Sequence, residues 1–226
     1  MKKYLCILLI VLTIFISGCS DNNEIQPIDE LYSKIKLSCN ENGKFKVLVI
    51  ADVHATGPLP LDVKNNIKTL VDRETPDLVI FTGDNTICDS KSKLRVALDT
   101  MVSYIEELKI PWCHVYGNHD HEGGLSKIEQ QEVYESYEYC VSKKGLDLFG
   151  VGNYVLPIYK FNGEEIINLI WCLDSNSYLS DDDSSKIEDP ILLYPEYPVS
   201  PYDYIHKEQI DWYKNTSIKI EETYKR

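Results

Sequence analysis

Three short runs of polar residues carry side chains that could together bind a metal ion. Asp52-Val53-His54, Gly83-Asp84-Asn85 and Gly117-Asn118-His119-Asp120 combine carboxylate, imidazole and carboxamide groups. These oxygen and nitrogen ligands suit Zn²⁺, Fe or Mn²⁺. Each run is weak evidence alone, because Asp, Asn and Gly also build ordinary turns. Each directly follows an apolar segment, however, and the carboxyl ends of neighbouring parallel strands share one crevice. The joint occurrence predicts a metal site there.

The segments around these runs alternate between strand and helix patterns. Phe45–Ala51, Leu78–Thr82 and Trp112–Tyr116 are short apolar runs typical of buried strands. Between them, apolar residues at spacings of three and four predict two helices, the first capped by Asp62 and ended by residues 75–77. Their apolar faces comprise Val63, Ile67, Leu70 and Val71, and then Leu94, Ala97, Leu98, Met101, Val102, Ile105 and Leu108. This order predicts βαβ units, a parallel sheet and the α/β class.

The second half of the chain has a different pattern. Ser126 and Glu129 fit a capping box that begins a helix reaching about Lys144. Two strand-like runs, 154–161 and 165–173, flank Asn162-Gly163, which predicts a hairpin.

The last part of the chain is predicted to contain a loop and a helix. Residues 181–201 read as a long acidic loop rich in Pro and Tyr, and residues 206–225 read as a final helix. The face expected to pack comprises Ile210, Tyr213, Ser217 and Ile220.

The N-terminus reads as a targeting segment. Two lysines precede an apolar run of Tyr4 to Ile16, which is short for a membrane span and typical of a signal peptide. The run ends in Ile16-Ser17-Gly18-Cys19, which resembles a bacterial lipobox. We therefore expect residues 1–18 to be removed, Cys19 to be lipidated, residues 19–43 to form a tether and lead-in, and residues 44–226 to form the domain. The expected location is a membrane face after export. A plain signal peptide and an N-terminal anchor helix are the alternatives.

The net charge and the cysteine content exclude several classes of partner and site. Acidic residues number 36 against 23 basic ones, a formal net charge of −13, which argues against nucleic acid as a partner. Removal of the leader and acylation of Cys19 would leave an odd number of cysteines, and no Cys-x-x-Cys pair occurs, so neither a disulfide framework nor a zinc ribbon is indicated. Cys113 and Cys172 lie in apolar runs and are expected to be buried.

The three motifs resemble those of the calcineurin-like metallophosphoesterase family, and further blocks resemble its purple acid phosphatase-like subgroup. The resemblance runs from about Phe45 to the C-terminus. It includes His121-Glu122-Gly123 after the third motif and the blocks Asn153-Tyr154, Leu173-Asp174-Ser175 and Tyr202-Asp203-Tyr204-Ile205, with Gln209, Trp212 and Tyr213. It implies an α/β (α+β sandwich) fold of four layers, a β-sandwich flanked by helices, with a two-metal site at the strand ends.

The resemblance also assigns roles to individual residues. Asp52 and His54 would bind the first metal ion, Asp84 would bridge both ions, and Asn118 would bind the second. His119 would act on the leaving oxygen or the transition state, with Asp120 orienting its ring. The implied reaction is in-line attack of a metal-activated hydroxide on a small phosphoester. Asn85 and His121 are candidates for the rim of the substrate site.

The sequence also departs from the family pattern. The family supplies three more histidines from later motifs, including a Gly-His-x-His that occurs nowhere in this chain. His114 is expected in the core and His206 in solvent. We therefore expect an incomplete second metal site, an unpaired sheet edge, a C-terminal truncation and impaired turnover, unless a companion fragment supplies the missing ligands. The alternatives are a non-catalytic lipoprotein that binds phosphate or metal, and a non-functional gene fragment.

Overall fold

The computed structural model describes residues 28–178 and 202–224. The predicted leader, the predicted lipidation site Cys19, residues 20–27 of the tether and the loop 181–201 lie outside the described residues. Within the described part of the chain, no helix is long and apolar enough to cross a membrane.

Strands and helices alternate through the first half, as the hydrophobic pattern predicts. A short 3-10 helix, Asp29–Leu31, leads into β1 (Leu37–Ser38) and β2 (Val47–Ile50). The further elements are α1 (Leu61–Glu74), β3 (Leu78–Thr82), α2 (Lys91–Glu107), β4 (Trp112–Val115), α3 (Lys127–Glu135), β5 (Tyr154–Tyr159), β6 (Ile166–Cys172) and α4 (Lys207–Tyr224).

The described strands form two three-stranded sheets. Strands β2, β3 and β4 pair in parallel in that order, which confirms the predicted parallel sheet. Strands β5 and β6 form the predicted antiparallel hairpin around Gly163, and β1 pairs in parallel with β5. Both chain crossovers of the parallel sheet run through a helix, as parallel neighbours require.

Side chains on alternating faces of the strands form three apolar clusters, each between two neighbouring layers of secondary structure. Val79 and Phe81 of β3 pack against helices α1, α2 and α3, whereas Leu78 packs on the opposite face against β5 and β6. Val155 of β5 points the other way again, toward Ile220 of α4. The order of layers is therefore helices, parallel sheet, mixed sheet and helix, which confirms the predicted sandwich flanked by helices.

The helix ends differ from the predicted ones in two places. Asp62 does not cap α1, because the cap is Pro60 and Asp62 lies in the first turn. The capping box of Ser126 and Glu129 is present, but α3 ends at Glu135 rather than near Lys144. The reason is that Val141 pairs with β4, its amide donating to the Trp112 carbonyl at 2.7 Å, so this segment must be extended.

The burial of Ile220 confirms one residue of the predicted packing face of α4, but the rest of the buried face is shifted by about one residue from the predicted one. The buried residues are Gln209, Trp212, Thr216 and Ile220, while Ile210 and Tyr213 are exposed. Gln209 is buried because its side-chain amide donates to Asn153 Oδ1 at 2.8 Å and to the Asp174 carbonyl at 2.7 Å. Apolar periodicity alone does not reveal a polar side chain that is buried by its hydrogen bonds.

The cysteines behave as predicted for small apolar residues. Cys113 and Cys172 are buried between the two sheets, and all five cysteines of the described residues are free thiols.

Candidate metal centre

The parallel sheet brings the polar motifs to one edge. Strands β2, β3 and β4 all run in the same direction, so the residues after Ile50, Thr82 and Val115 leave the sheet on the same side. Backbone pairing continues beyond the strands: the amide of Asp52 donates to Gly83 O at 3.2 Å, and that of His54 to Asp84 O at 2.8 Å. These bonds fix the first two motifs side by side.

Asp52, His54 and Asp84 form one group of potential ligands. One side-chain donor atom from each lies within 4.8 Å of the others. His54 Nε2 is 3.9 Å from Asp52 Oδ1 and 4.0 Å from Asp84 Oδ2. Two ligand atoms that are each about 2.1 Å from an ion lie at most about 4.2 Å apart. Both His54 distances satisfy this limit, and the exposed Asp52 side chain has room to rotate inward.

The backbone at all three of these residues is in the left-handed region. The φ angles are 56° at Asp52, 48° at His54 and 50° at Asp84. Residues other than Gly adopt this region uncommonly, although Asp and His do so more often than most. Such conformations cost free energy and concentrate at functional sites. Their coincidence here therefore supports a site held in shape by the sheet.

Two glycines allow the loops to approach each other closely. Gly83 has φ of 105°, which side-chain-bearing residues rarely adopt. At Gly117 the reason is space, because a β-carbon there would lie 2.2 Å from Asp84 Oδ1. Gly117 therefore lets the third motif pack directly on the Asp84 carboxylate.

His119 lies at the edge of this group. Its backbone amide donates to Asp84 Oδ1 at 2.8 Å, and its ring centroid is 5.4 Å from that of His54. Its Nδ1 pairs with Glu122 Oε2 at 2.8 Å, and this hydrogen bond is the main cause that raises the pKa of His119 above its usual value. The ring is therefore biased toward the protonated, proton-donating form.

Asp120 does not orient His119, contrary to the prediction. Its carboxylate is fully buried and accepts hydrogen bonds from the backbone amides of Asn85 and Thr86, both at 2.8 Å, and of Gly117 at 2.7 Å. Burial raises its pKa to about 6, against the opposing effect of these three bonds. Asp120 instead ties the second motif to the third, and Glu122 takes the role of holding the His119 ring.

Two residues near the centre were missed by sequence reasoning. Glu122 pairs with His119, as described above. The Tyr178 hydroxyl accepts a hydrogen bond from Asn118 Nδ2 at 3.1 Å and lies 3.4 Å from Glu122 Oε1. Glu122 stands three residues after His119, which was a usable signal. Tyr178 is distant in sequence, and only the fold brings it here.

Comparison with known proteins settles the family of this chain. The family model described as calcineurin-like phosphoesterase matches residues 45–218. The chain belongs to the calcineurin-like phosphoesterase family.

Curated proteins similar to this chain include relatives from yeast and from a plant. It is 32% identical to "Phosphatase DCR2" of Saccharomyces cerevisiae over 169 residues, which is 63% of this chain and 28% of that protein. It is 26% identical to "Probable inactive purple acid phosphatase 29" of Arabidopsis thaliana over 227 residues, 88% of this chain and 54% of that protein. "Probable inactive purple acid phosphatase 14" of the same plant is 25% identical over 86% of this chain and 52% of its own length. The chain thus spans about half the length, or less, of these relatives.

The two candidates for the rim of the substrate site differ in burial. Asn85 is fully buried, and its side-chain amide donates to Val115 O at 2.9 Å, so its prediction as a rim residue is wrong. His121 is half-buried, with Nδ1 3.3 Å from Ser177 Oγ.

The remaining histidines, His114 and His206, pack elsewhere. His114 is buried and stacks on Tyr134 with ring centroids 3.6 Å apart, which confirms its predicted place in the core. His206 was expected in solvent, and that prediction is wrong. Its ring stacks on Phe149 at 3.6 Å and its Nε2 pairs with Asp203 Oδ1 at 2.8 Å. Neither histidine belongs to the ligand group of the described residues.

Proposed function

We propose that this chain is a metal-dependent phosphoester hydrolase whose first metal ion is held by Asp52, His54 and Asp84. The observation that carries the proposal is the convergence of three ligand atoms within 4.8 Å at the carboxyl ends of two neighbouring parallel strands. The family supports metal-dependent ester hydrolysis, and the name of the yeast relative, "Phosphatase DCR2", supports a phosphatase. When bound, Fe, Zn²⁺ or Mn²⁺ would supply Lewis-acid activation of water and of the phosphate oxygens.

His119 is the residue we assign to the leaving group. Its Nδ1 is occupied by Glu122, so Nε2 is the ring nitrogen left for a substrate oxygen. The hydrogen bond with Glu122 raises the pKa of His119 above its usual value, which favours the protonated form that can donate to the departing oxygen. Asp120 contributes by holding the loops in register through its three backbone hydrogen bonds, since it has no contact of this kind with the His119 ring.

We propose that a second ion is held less tightly than the first. Asp84 and Asn118 are the residues assigned to it, and Asp84 Oδ1 already accepts the His119 amide. Two ligands leave an ion labile, whereas three and water retain it. Turnover by this chain is accordingly expected to be weak, unless a companion polypeptide supplies further ligands.

A second candidate function is binding of phosphate or metal without turnover. It is favoured by the names of the two plant relatives, which describe them as probable inactive purple acid phosphatases. This reading uses the same crevice and differs only in the absence of hydrolysis.

We further propose that the chain is exported as a bacterial lipoprotein, anchored to a membrane face through Cys19. The support is the order of the first residues: two lysines, an apolar run and a small-residue pair before the cysteine.

The hydrolase proposal is tested by hydrolysis of an aryl phosphate and an aryl phosphodiester in the presence of Mn²⁺ or Zn²⁺. We expect measurable turnover that the change Asp52→Asn abolishes. The matched control is Glu107→Gln, which removes an exposed carboxylate at the C-terminus of α2, at the opposite end of the parallel sheet. Turnover that survives Asp52→Asn contradicts the proposed centre. Stoichiometric metal binding without any turnover favours the binding function instead.

A further inference from the structure

Tyr178 lies between two residues of the candidate site that are not otherwise joined by their side chains. Its hydroxyl is 3.1 Å from Asn118 Nδ2 on one side and 3.4 Å from Glu122 Oε1 on the other. The amide nitrogen can only donate and the carboxylate can only accept, so the hydroxyl accepts from Asn118 and directs its own proton toward Glu122. The direction of both contacts is therefore fixed by chemistry.

The contact with Asn118 determines which atom of its amide remains for a cation. An amide has one oxygen that can bind a hard cation and one nitrogen that cannot, because the nitrogen lone pair is delocalised into the carbonyl and the NH₂ group only donates. Since Nδ2 donates to Tyr178, Oδ1 is the atom left to face a ligand. This hydrogen bond is the contact that distinguishes the nitrogen end of the Asn118 amide from its oxygen end.

The contact with Glu122 extends to His119. Glu122 Oε2 pairs with His119 Nδ1 at 2.8 Å, and its other oxygen, Oε1, faces Tyr178. The phenol therefore contacts the carboxylate that fixes the ring. At 3.4 Å this is the weaker of the two contacts, since O–H···O bonds are usually shorter than 3.0 Å.

The Tyr178 ring is itself held in place by a second tyrosine. Tyr178 and Tyr202 stack with ring centroids 5.3 Å apart and an interplanar angle of 28°. Their backbones form an antiparallel bridge. Stacking restricts the ring torsions, so the hydroxyl is presented in a defined direction.

We propose that Tyr178 is a positioning residue of this centre, whose hydroxyl orients the Asn118 amide so that its oxygen faces the metal site and also restrains Glu122 behind His119. The role rests on the proposed function for its consequence in catalysis. The orientation of the amide is independent of that function and is measurable without turnover.

The first test uses the full metal-free chain labelled with ¹⁵N. The side-chain amide resonance of Asn118 is assigned by its loss in Asn118→Asp. We expect Tyr178→Phe to shift this resonance and to speed exchange of its protons with water, because one donor loses its acceptor. Tyr202→Phe is the matched control, since it makes the same chemical change in the other ring of the stacked pair and is expected to leave the resonance in place. An unchanged Asn118 resonance in Tyr178→Phe overturns the proposal.

The second test is a titration of the same proteins with Mn²⁺, followed by its electron paramagnetic resonance signal. Loss of one hydrogen bond to a ligand is expected to weaken binding of the weaker ion by about fivefold in Tyr178→Phe. The stronger binding step and the control Tyr202→Phe are expected within about twofold of the unmodified chain. If Tyr178→Phe binds Mn²⁺ with the same affinity as the unmodified chain at every site detected, the positioning role is contradicted.

Activity separates this inference from the proposed function. If the unmodified chain hydrolyses no phosphoester, the hydrolase proposal fails, while the amide resonance and Mn²⁺ affinity still decide the role of Tyr178. If the chain is active, we expect Tyr178→Phe to lower kcat more than it changes KM, since the hydroxyl acts on the centre rather than on substrate.

Discussion

The carboxylate of Asp84 packs directly on the backbone of Gly117. A β-carbon at position 117 would lie 2.2 Å from Asp84 Oδ1 and 2.4 Å from the Asp84 backbone nitrogen. Gly117 is therefore required because the Asp84 carboxylate leaves no space for a side chain. Its own backbone angle does not require a glycine, since its φ is not in the left-handed region. The candidate ligand Asp84 and Gly117, which lie in the loops after β3 and β4, thus form one unit.

This contact predicts the effect of Gly117→Ala. The added methyl group must displace the Asp84 carboxylate, so we expect metal affinity to fall by about 10- to 100-fold, the range seen when a ligand loses its support. Calorimetric titration with Zn²⁺ measures the change. Gly57→Ala is the control, because a β-carbon there meets no atom within 4 Å. Equal Zn²⁺ affinity in Gly117→Ala and Gly57→Ala would contradict the packing described.

The buried His114 predicts loss of stability in acid. Burial lowers its pKa to about 3, so the folded protein holds it neutral while the unfolded chain protonates it near 6.5. Because the pKa of His114 is lower in the folded protein than in the unfolded chain, protons bind preferentially to the unfolded chain. The folded state therefore keeps its full stability above pH 6.5 and loses stability as the pH falls toward 3. The loss is about 1.4 kcal/mol for each pH unit in that window.

The variant His114→Phe isolates this effect. Phenylalanine keeps a ring to stack on Tyr134 but cannot titrate, so we expect a flatter dependence of the free energy of unfolding on pH between 6.5 and 4. Urea denaturation at several pH values measures it. An unchanged slope in the variant would mean that another group controls acid stability.

The sequence was sufficient to predict which residues follow the strand ends at the candidate site. It was not sufficient to predict which contacts the loop side chains make. Asp52, His54 and Asp84 each follow an apolar run, and parallel strands leave the sheet at one edge, so local pattern and topology sufficed. Asp120 stands next to His119 in sequence, yet its side chain turns inward to three backbone amides. Which way a loop side chain points depends on unpaired amides contributed by other loops, and sequence spacing does not record these.

Helix α4 shows that side-chain contacts formed only on folding also limit prediction within regular secondary structure. A period of 3.6 fits both the predicted face and the observed one, which differ by a rotation of about one residue. The observed face contains Gln209, whose hydrogen bonds to Asn153 and Asp174 are formed only in the folded chain. Polar burial of this kind is decided by partners that lie far away in sequence.

Asp174 predicts a large stability effect away from the metal centre. Its buried carboxylate pairs with Lys127 Nζ at 2.8 and 3.0 Å and accepts the amides of Val151 and Asn176, both at 2.9 Å. Removing the charge leaves a largely buried ammonium without its counter-ion, so Asp174→Asn should cost about 3 kcal/mol of unfolding free energy.

A control for this prediction is available on the surface of α4. Asp211 forms an ion pair with Lys207, and both side chains are largely exposed. Exposed pairs contribute little, so Asp211→Asn should change the unfolding free energy by less than about 0.5 kcal/mol. Chemical denaturation of both variants makes the comparison, and similar costs would show that the Lys127 pair is not effectively buried.

The first residues of the chain predict a covalent modification. When the full chain is expressed in bacteria, we expect mass spectrometry to find a mature protein that begins at Cys19 and carries acyl chains. Cys19→Ala should abolish the added lipid mass and release the protein from membranes. An unlipidated chain that retains residues 1–18 would contradict the lipoprotein proposal.

The most direct test of the account is the metal content of the purified chain. After equilibration with Mn²⁺ or Zn²⁺ and removal of free ion, elemental analysis should find at least one ion per chain, and Asp84→Asn should lose it because that residue belongs to the ligand group. Glu107→Gln should retain the ion. A chain that binds no ion, or one that binds equally well without the Asp84 carboxylate, would contradict a metal centre at the ends of β2 and β3.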